Sequence, residues 1–124
     1  VPVVFDVGCY RGLFSKKIYN KIKNKSSCKF YLFDINKNVR NYLKDLINKK
    51  NFIYNEIALS NKSGKANYYF NSSMESSGSS LSKLTKNDRK WNTSRKLVLK
   101  ILFQNVGKYI KYSVQTTSLD RFVS

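Results

Sequence analysis

The sequence predicts an α/β fold built on a parallel sheet, and two observations carry that prediction. Apolar runs typical of buried strands alternate with segments of helical periodicity between residues 3 and 59. A strand that is followed by a helix and another strand implies a crossover connection between two parallel strands, and such crossovers are almost always right-handed. The predicted order is strand, helix, strand, helix, strand, with extra strands after the third.

The first predicted strand, residues 3–7, leads into a turn that two glycines flank. Asp6 lies near the end of the strand, and Gly8 and Gly12 bracket the turn. Glycine permits a positive φ and lets a ligand approach the backbone closely. A dinucleotide site has the spacing G-x-G-x-x-G, which seats a pyrophosphate on the helix N-terminus, whereas this turn has G-x-x-x-G. The pattern therefore favours S-adenosylmethionine, which has no phosphate, over NAD. Tight packing of a helix on a strand is the alternative role for these glycines.

The second predicted strand, residues 30–34, ends on a carboxylate. Asp34 stands where an acceptor side chain can bind both hydroxyls of a ribose. A solvated turn residue, or the N-cap of the next helix, is the alternative role. Together with the glycine turn, Asp34 predicts a pocket for a cofactor that contains adenosine.

The helices of this region follow from apolar spacing. Apolar residues predict an amphipathic helix from Leu13 to about Lys23. A second helix is predicted over residues 39–47, where apolar side chains recur at helical intervals, and Asn36 or Asn38 can cap it. The apolar run 52–59 predicts the third strand.

The chain then departs from simple alternation. Residues 61–64 predict a turn in which Gly64 is suited to a positive φ. The remaining expectations are a strand over 65–70, a serine-rich linker or hydroxyl-lined loop over 71–82, a helix or buried strand within 83–107, a strand over 109–117 and a turn or helix start over 118–122.

Length and composition limit the classes of protein to which this chain can belong. With 124 residues the chain predicts at most one domain. It starts at Val1 rather than methionine and stops at Ser124 just after a strand-like run, so we expect a fragment. No apolar run is long enough to cross a bilayer, and we expect a cytoplasmic protein. Cys9 and Cys28 are expected to be free thiols, and no metal site is expected. With no histidine, Ser-His and Cys-His catalysis is excluded within these residues.

The net charge of the chain supports a competing hypothesis, in which the chain binds an anionic partner. The chain has 24 Lys and Arg against 7 Asp and Glu, a net charge of +17. Such a surplus favours an anionic partner such as nucleic acid. Trp91 beside Arg89, Lys90 and Arg95 could stack bases and bind phosphates, although lysine and arginine stems often only cover apolar surface. Because the lysines are scattered and accompany many asparagines and isoleucines, a gene rich in A and T is the simpler explanation.

Five blocks of sequence, in order along the chain, support a family resemblance. They are Phe5-Asp6-Val7-Gly8 with Gly12, Phe33-Asp34, Ile57-Ala58-Leu59-Ser60 with Gly64, Ser79-Ser80-Leu81, and Thr116-Thr117-Ser118-Leu119-Asp120. In these blocks the chain resembles the FkbM-type S-adenosylmethionine-dependent methyltransferases. The resemblance implies a Rossmann-like class I methyltransferase fold and methyl transfer to a hydroxyl of a sugar, glycolipid or small natural product. A basic nucleic-acid-binding module or an RNA methyltransferase is the alternative function.

The resemblance also implies roles for individual residues. Asp6, Gly8 and Gly12 would line the methionine end of the cofactor, and Asp34 would contact the ribose. Ile57 and Ala58 would flank the adenine region, and Ser79 and Ser80 would lie near the mouth of the site. Two positions depart from the family pattern. Tyr10 replaces a small amide residue, and Asp34 replaces a glutamate, which keeps the carboxylate but shortens its reach.

The resemblance further implies which part of a methyltransferase this chain is. Residues 1–124 would be one partial domain, the cofactor-binding half, with an insertion at 83–107. The family's next block helps to form the reaction centre and would begin beyond Ser124. We therefore expect the chain to bind cofactor without catalysing, and we assign no catalytic residue.

Overall fold

The computed structural model describes residues 1–71 and 109–124, and these residues form a mixed α/β structure. The predicted loop residues Ser79 and Ser80 and the predicted insertion at 83–107 lie outside the described residues. The elements are β1 Val3–Val7, α1 Leu13–Lys21, a 3₁₀ turn Lys25–Ser27, β2 Lys29–Phe33, α2 Val39–Tyr42, α3 Lys44–Ile47, β3 Phe52–Asn55, β4 Ala58–Leu59, β5 Gly64–Asn71, β6 Tyr109–Thr117 and α4 Leu119–Val123.

The first sheet is parallel and has the order β1-β2-β3, which confirms the α/β prediction. Val7 pairs with Phe33 at the end of β1 and β2, and Phe33 pairs with Asn55 at the end of β3. The three carboxyl ends therefore lie side by side at one edge. In parallel α/β sheets that edge is where ligands bind.

The central strand β2 presents alternate side chains to two different sets of neighbours. Phe30 and Leu32 are fully buried in the core that also contains Leu43 of the segment between α2 and α3. Phe33 stacks on Phe5 and meets the ring of Phe122 in α4 edge-on, at 4.9 Å between centroids. The period of two along β2 therefore gives the sheet an apolar environment on both faces.

The predicted second helix is interrupted. Residues 39–47 form α2 and α3, which meet at Leu43, where φ is −95° and ψ is 1°. The interruption is local, because Leu43 N still donates to Val39 O and Ile47 N to Leu43 O. The apolar spacing that predicted one helix is kept, and Leu43 and Leu46 are buried in the core.

The predicted third strand is wrong in its extent. Residues 52–59 do not form one strand, because β3 ends at Asn55 and residues 58–59 join a different sheet. Ala58 and Leu59 pair in parallel with Thr116 and Thr117 of β6. An apolar run cannot show by its composition alone that its two halves hydrogen-bond to different partners.

The second sheet has the order β4-β6-β5 and bears out the expectation of extra strands after the third. Gly64 has a φ of 137°, as predicted for the turn before β5. The chain divides into two compact units, Val1–Lys65 with Val114–Ser124 and Ala66–Ser113. In the described part of the second unit, Tyr68 is buried and meets Tyr112 edge-on.

Candidate functional site

The turn after β1 is held by hydrogen bonds to β2. Gly8 N and Cys9 N both donate to Phe33 O, at 2.8 and 3.1 Å, and Gly12 N donates to Cys9 O at 2.6 Å. Gly8 has a φ of 71° and Gly12 a φ of 65°, as the sequence predicted. These positive values favour glycine at both positions.

The two glycines differ in what surrounds them. A Cβ on Gly12 would lie 2.7 Å from Leu46 Cδ1 and 2.8 Å from Leu43 Cδ2, both in the core. A Cβ on Gly8 would meet nothing within 4 Å. Gly12 therefore lets α1 begin close against α2 and α3, whereas the space beside Gly8 is open to a ligand.

Asp34 links the end of β2 to the glycine turn. Its Oδ2 accepts a hydrogen bond from Tyr10 N at 2.9 Å, and its Oδ1 accepts one from Asn36 N at 3.0 Å. Each carboxylate oxygen can accept two hydrogen bonds, so each keeps one site for a ligand hydroxyl. Asp34 is partly buried, and this desolvation raises the pKa of its carboxyl, although the N–H groups of Asn36 and Ile35 oppose the shift.

Asp6 lies deeper than Asp34. It is 8% exposed, and its Oδ2 accepts a hydrogen bond of 2.5 Å from Ser15 Oγ in α1. Ser15 is itself fully buried. One oxygen of Asp6 therefore anchors α1 to β1.

Cys9 lies near enough to both carboxylates to feel their charges. Burial, followed by the negative charges of Asp34 and Asp6, raises the pKa of the Cys9 thiol to about 12. The thiol is therefore neutral at physiological pH. Cys9 and Cys28 are both free and buried, and Cys9 has the properties of a packing residue rather than a nucleophile.

Tyr10 occupies an unusual backbone conformation. Its φ is 44°, in the left-handed region that Asn visits more readily than Tyr. Its ring meets Tyr42 edge-on at 5.6 Å, and the guanidinium of Arg11 lies 5.2 Å from the Tyr10 centroid and 5.1 Å from that of Tyr42. These contacts and the bond from Tyr10 N to Asp34 hold the strained residue in place.

The end of β3 supplies a second group of polar contacts near Asp34. Tyr54 Oη donates to Asp34 O at 3.1 Å. Arg40 lies 5.1 Å from the Tyr54 ring centroid and forms a 3.8 Å ion pair with Glu56. Burial, with smaller contributions from Glu56 and Asp34, raises the pKa of the Tyr54 hydroxyl, which therefore stays a donor.

The remaining predicted site residues are placed as follows. Ile57 is half-buried and follows β3, whereas Ala58 is buried in β4, which pairs with β6. The structure thus brings together Asp6, Gly8, Gly12 and Asp34. The adenine role of Ile57 and Ala58 stays a prediction, as do the roles of Ser79 and Ser80.

Sequence reasoning missed two residues that shape the site. Ser15 is the partner of Asp6, and Tyr54 supports the backbone of Asp34. A serine on the apolar face of α1 was the available signal for Ser15, since a buried hydroxyl needs a partner. The signal for Tyr54 was a tyrosine next to the end of a parallel strand.

No family model, curated protein or solved structure matches this chain. Within residues 1–71 and 109–124, no helix has the length and apolar character needed to span a bilayer. Over the same residues, no three Cys, Asp or Glu side chains are placed to hold a metal ion.

Proposed function

We propose that this chain is the cofactor-binding part of an S-adenosylmethionine-dependent O-methyltransferase of the FkbM type with a Rossmann-like class I fold. The observation that carries the proposal is the position of Asp34 against the Gly8 turn at the carboxyl edge of a parallel sheet. The order β1-β2-β3 also fits the half of a doubly wound sheet in which β1 borders the ligand crevice.

The residues present fit the proposed cofactor. The open space beside Gly8 admits a ligand to the backbone, and Asp34 keeps one acceptor site on each oxygen for the two ribose hydroxyls. Two backbone N–H groups of the turn are already used within the protein, since Gly8 N and Cys9 N donate to Phe33 O. Those two N–H groups are therefore not free to bind a ligand, and the preference for a cofactor without phosphate rests on the G-x-x-x-G spacing of the turn.

When bound, S-adenosylmethionine supplies an electrophilic methyl group on a sulfonium. In the intact enzyme that methyl would be transferred to the oxygen of a sugar, glycolipid or natural-product hydroxyl, which would lose its proton, and S-adenosylhomocysteine would be left. This chain's residues would contribute by positioning. Asp34 would orient the ribose, and the turn from Gly8 to Gly12 would exclude water from one side of the ligand.

Calorimetric titration with S-adenosylhomocysteine tests the proposal. Asp34→Ala removes two charge-assisted hydrogen bonds to the ribose and should weaken binding by about 100-fold or more. Asp120→Asn, an exposed aspartate in α4, is the matched control and should keep the affinity of the parent chain.

A second variant separates ligand recognition from the structural role of Asp34, whose carboxylate also binds Tyr10 N. Gly8→Ala leaves Asp34 intact and places a methyl in the open space, so it should also weaken S-adenosylhomocysteine binding. Circular dichroism melts of both variants report folding independently. If the folded Asp34→Ala protein bound S-adenosylhomocysteine as tightly as the parent, or if NADH bound more tightly than S-adenosylhomocysteine, the proposal would be wrong.

A further inference from the structure

A cleft lies at the opposite edge of the first sheet from Asp34. It has a volume of about 430 Å³ and lies between α1, the segment before β2 and the α3 region. Lys25 and Lys49 precede β2 and β3 respectively, so they mark the amino ends of these parallel strands. The cleft is thus separate from the carboxyl edge that holds Asp34. Its lining residues are Lys16, Tyr19, Asn20, Lys25, Asp45, Leu46 and Lys49.

The floor of the cleft is packed against the core. The Tyr19 ring meets the buried rings of Phe30 and Phe52 edge-on, at 5.9 and 5.2 Å between centroids. Leu46 is also a core residue. The wall is held by Asn51, whose Nδ2 donates to Lys25 O at 2.6 Å and to Cys28 O at 2.8 Å. A pre-formed floor and a pinned wall reduce the entropy cost of binding a ligand there.

Positive charge converges on this floor. Lys25 Nζ lies 5.2 Å and Lys49 Nζ 6.0 Å from the centroid of the Tyr19 ring. Lys16 lines the same cleft, and among the described residues none of the three lysines forms an ion pair. The lining thus carries three positive charges against the single carboxylate of Asp45, and this surplus favours an anion. Ammonium groups suit phosphate, which accepts several hydrogen bonds.

The other polar residues that line the cleft indicate which class of anion it would bind. Asp45 would repel a phosphate but can accept a hydrogen bond from a hydroxyl, and the amide of Asn20 can donate or accept. The cleft volume is within the range of small-molecule sites.

The geometry points to a binding site in this cleft for a phosphate monoester of a small, hydroxylated molecule such as a sugar phosphate. The phosphate lies between Lys25, Lys49 and Lys16, and a hydroxyl of the same ligand donates to Asp45. The site does not depend on the proposed methyltransferase function, because it uses none of the residues at the carboxyl edge.

Calorimetric titration of the full chain with glucose 6-phosphate, inorganic phosphate and glucose tests the site. Glucose 6-phosphate should bind saturably with one-to-one stoichiometry and more tightly than glucose. The double variant Lys25→Gln/Lys49→Gln should weaken its binding about tenfold or more. The matched control Lys17→Gln/Lys62→Gln removes the same charge from exposed positions outside the cleft and should change the affinity by less than about twofold.

The variant Asp45→Asn tests the hydroxyl contact. It removes a repulsive charge, so inorganic phosphate should bind more tightly, while the ratio of the affinities for glucose 6-phosphate and inorganic phosphate should fall by about fivefold or more. An unchanged ratio would overturn the assignment of a hydroxylated ligand.

Two results would overturn the site itself. One is the absence of saturable binding by both glucose 6-phosphate and inorganic phosphate. The other is equal weakening by the cleft pair and the control pair, together with tighter, strongly salt-dependent binding of a single-stranded RNA. That second outcome would indicate that the lysines of the cleft contribute only to diffuse binding of nucleic acid.

Discussion

Replacing Gly12 with alanine tests whether this glycine serves packing rather than ligand approach. The new Cβ would lie 2.7 Å from Leu46 Cδ1 and 2.8 Å from Leu43 Cδ2, whereas ordinary contacts are 3.4–4 Å. Alanine at a φ of 65° costs about 1–2 kcal/mol. Overpacking two buried leucines adds about 1–3 kcal/mol. The free energy of unfolding of Gly12→Ala should therefore fall by about 2–5 kcal/mol.

Gly8→Ala is the matched control for that measurement. Gly8 has a similar φ of 71° but open space around it. The free energy of unfolding of Gly8→Ala should therefore fall only by the conformational cost of alanine at this φ, about 1–2 kcal/mol. The assay is urea unfolding followed by circular dichroism. The double variant Gly12→Ala/Leu46→Ala should be less destabilised than the sum of its single variants, because the truncated leucine makes room for the methyl. Equal losses for Gly8→Ala and Gly12→Ala, with additive double-variant energies, would refute the packing role.

Further predictions concern three neighbouring residues, Ser15, Cys9 and Asp34. Ser15→Ala should lower the free energy of unfolding by about 1–3 kcal/mol, measured by urea unfolding, because it leaves the buried Asp6 carboxylate without its donor. The pKa of the Cys9 thiol is about 12 in the folded protein, whereas its ordinary value, expected in the unfolded chain, is 9.0. Because the folded protein holds the thiol proton more tightly, the free energy of unfolding should fall as the pH rises above 9.0. A thiol reagent should modify Cys9 only after unfolding; rapid modification of the folded protein would contradict this. For Asp34, whose pKa is raised, a ligand that donates to the carboxylate should bind more weakly as pH falls through that raised pKa, measured by titration across acidic pH.

The sequence predicted the first sheet well because its determinants are local. Apolar runs for β1 and β2, and helical spacing for α1, each depend on a few neighbouring residues. The left-handed conformations of Gly8 and Gly12 followed from residue type for the same reason. Local signals thus located the carboxyl edge and placed Asp34 beside the turn.

The errors of prediction arose where partners are distant in sequence. Ala58 and Leu59 leave the first sheet because they pair with Thr116 and Thr117, and nothing within residues 52–59 encodes that partner. The different surroundings of Gly8 and Gly12 also depend on Leu43, more than thirty residues away. A glycine's own spacing cannot show whether a ligand or a side chain occupies the space that its missing Cβ leaves.

The glycine turn and Asp34 act as one unit, and this joins the fold to the proposed site. Asp34 Oδ2 holds Tyr10 N in a strained conformation, and Gly12 N closes the turn on Cys9 O. A ligand that donates to the remaining acceptor site on each oxygen of Asp34 stabilises the ionised form of the same carboxylate that orders the turn. Binding at this edge should therefore be coupled to the order of the turn, so the stability of residues 8–12 and the affinity for an adenosine ligand should change together when Asp34 is altered.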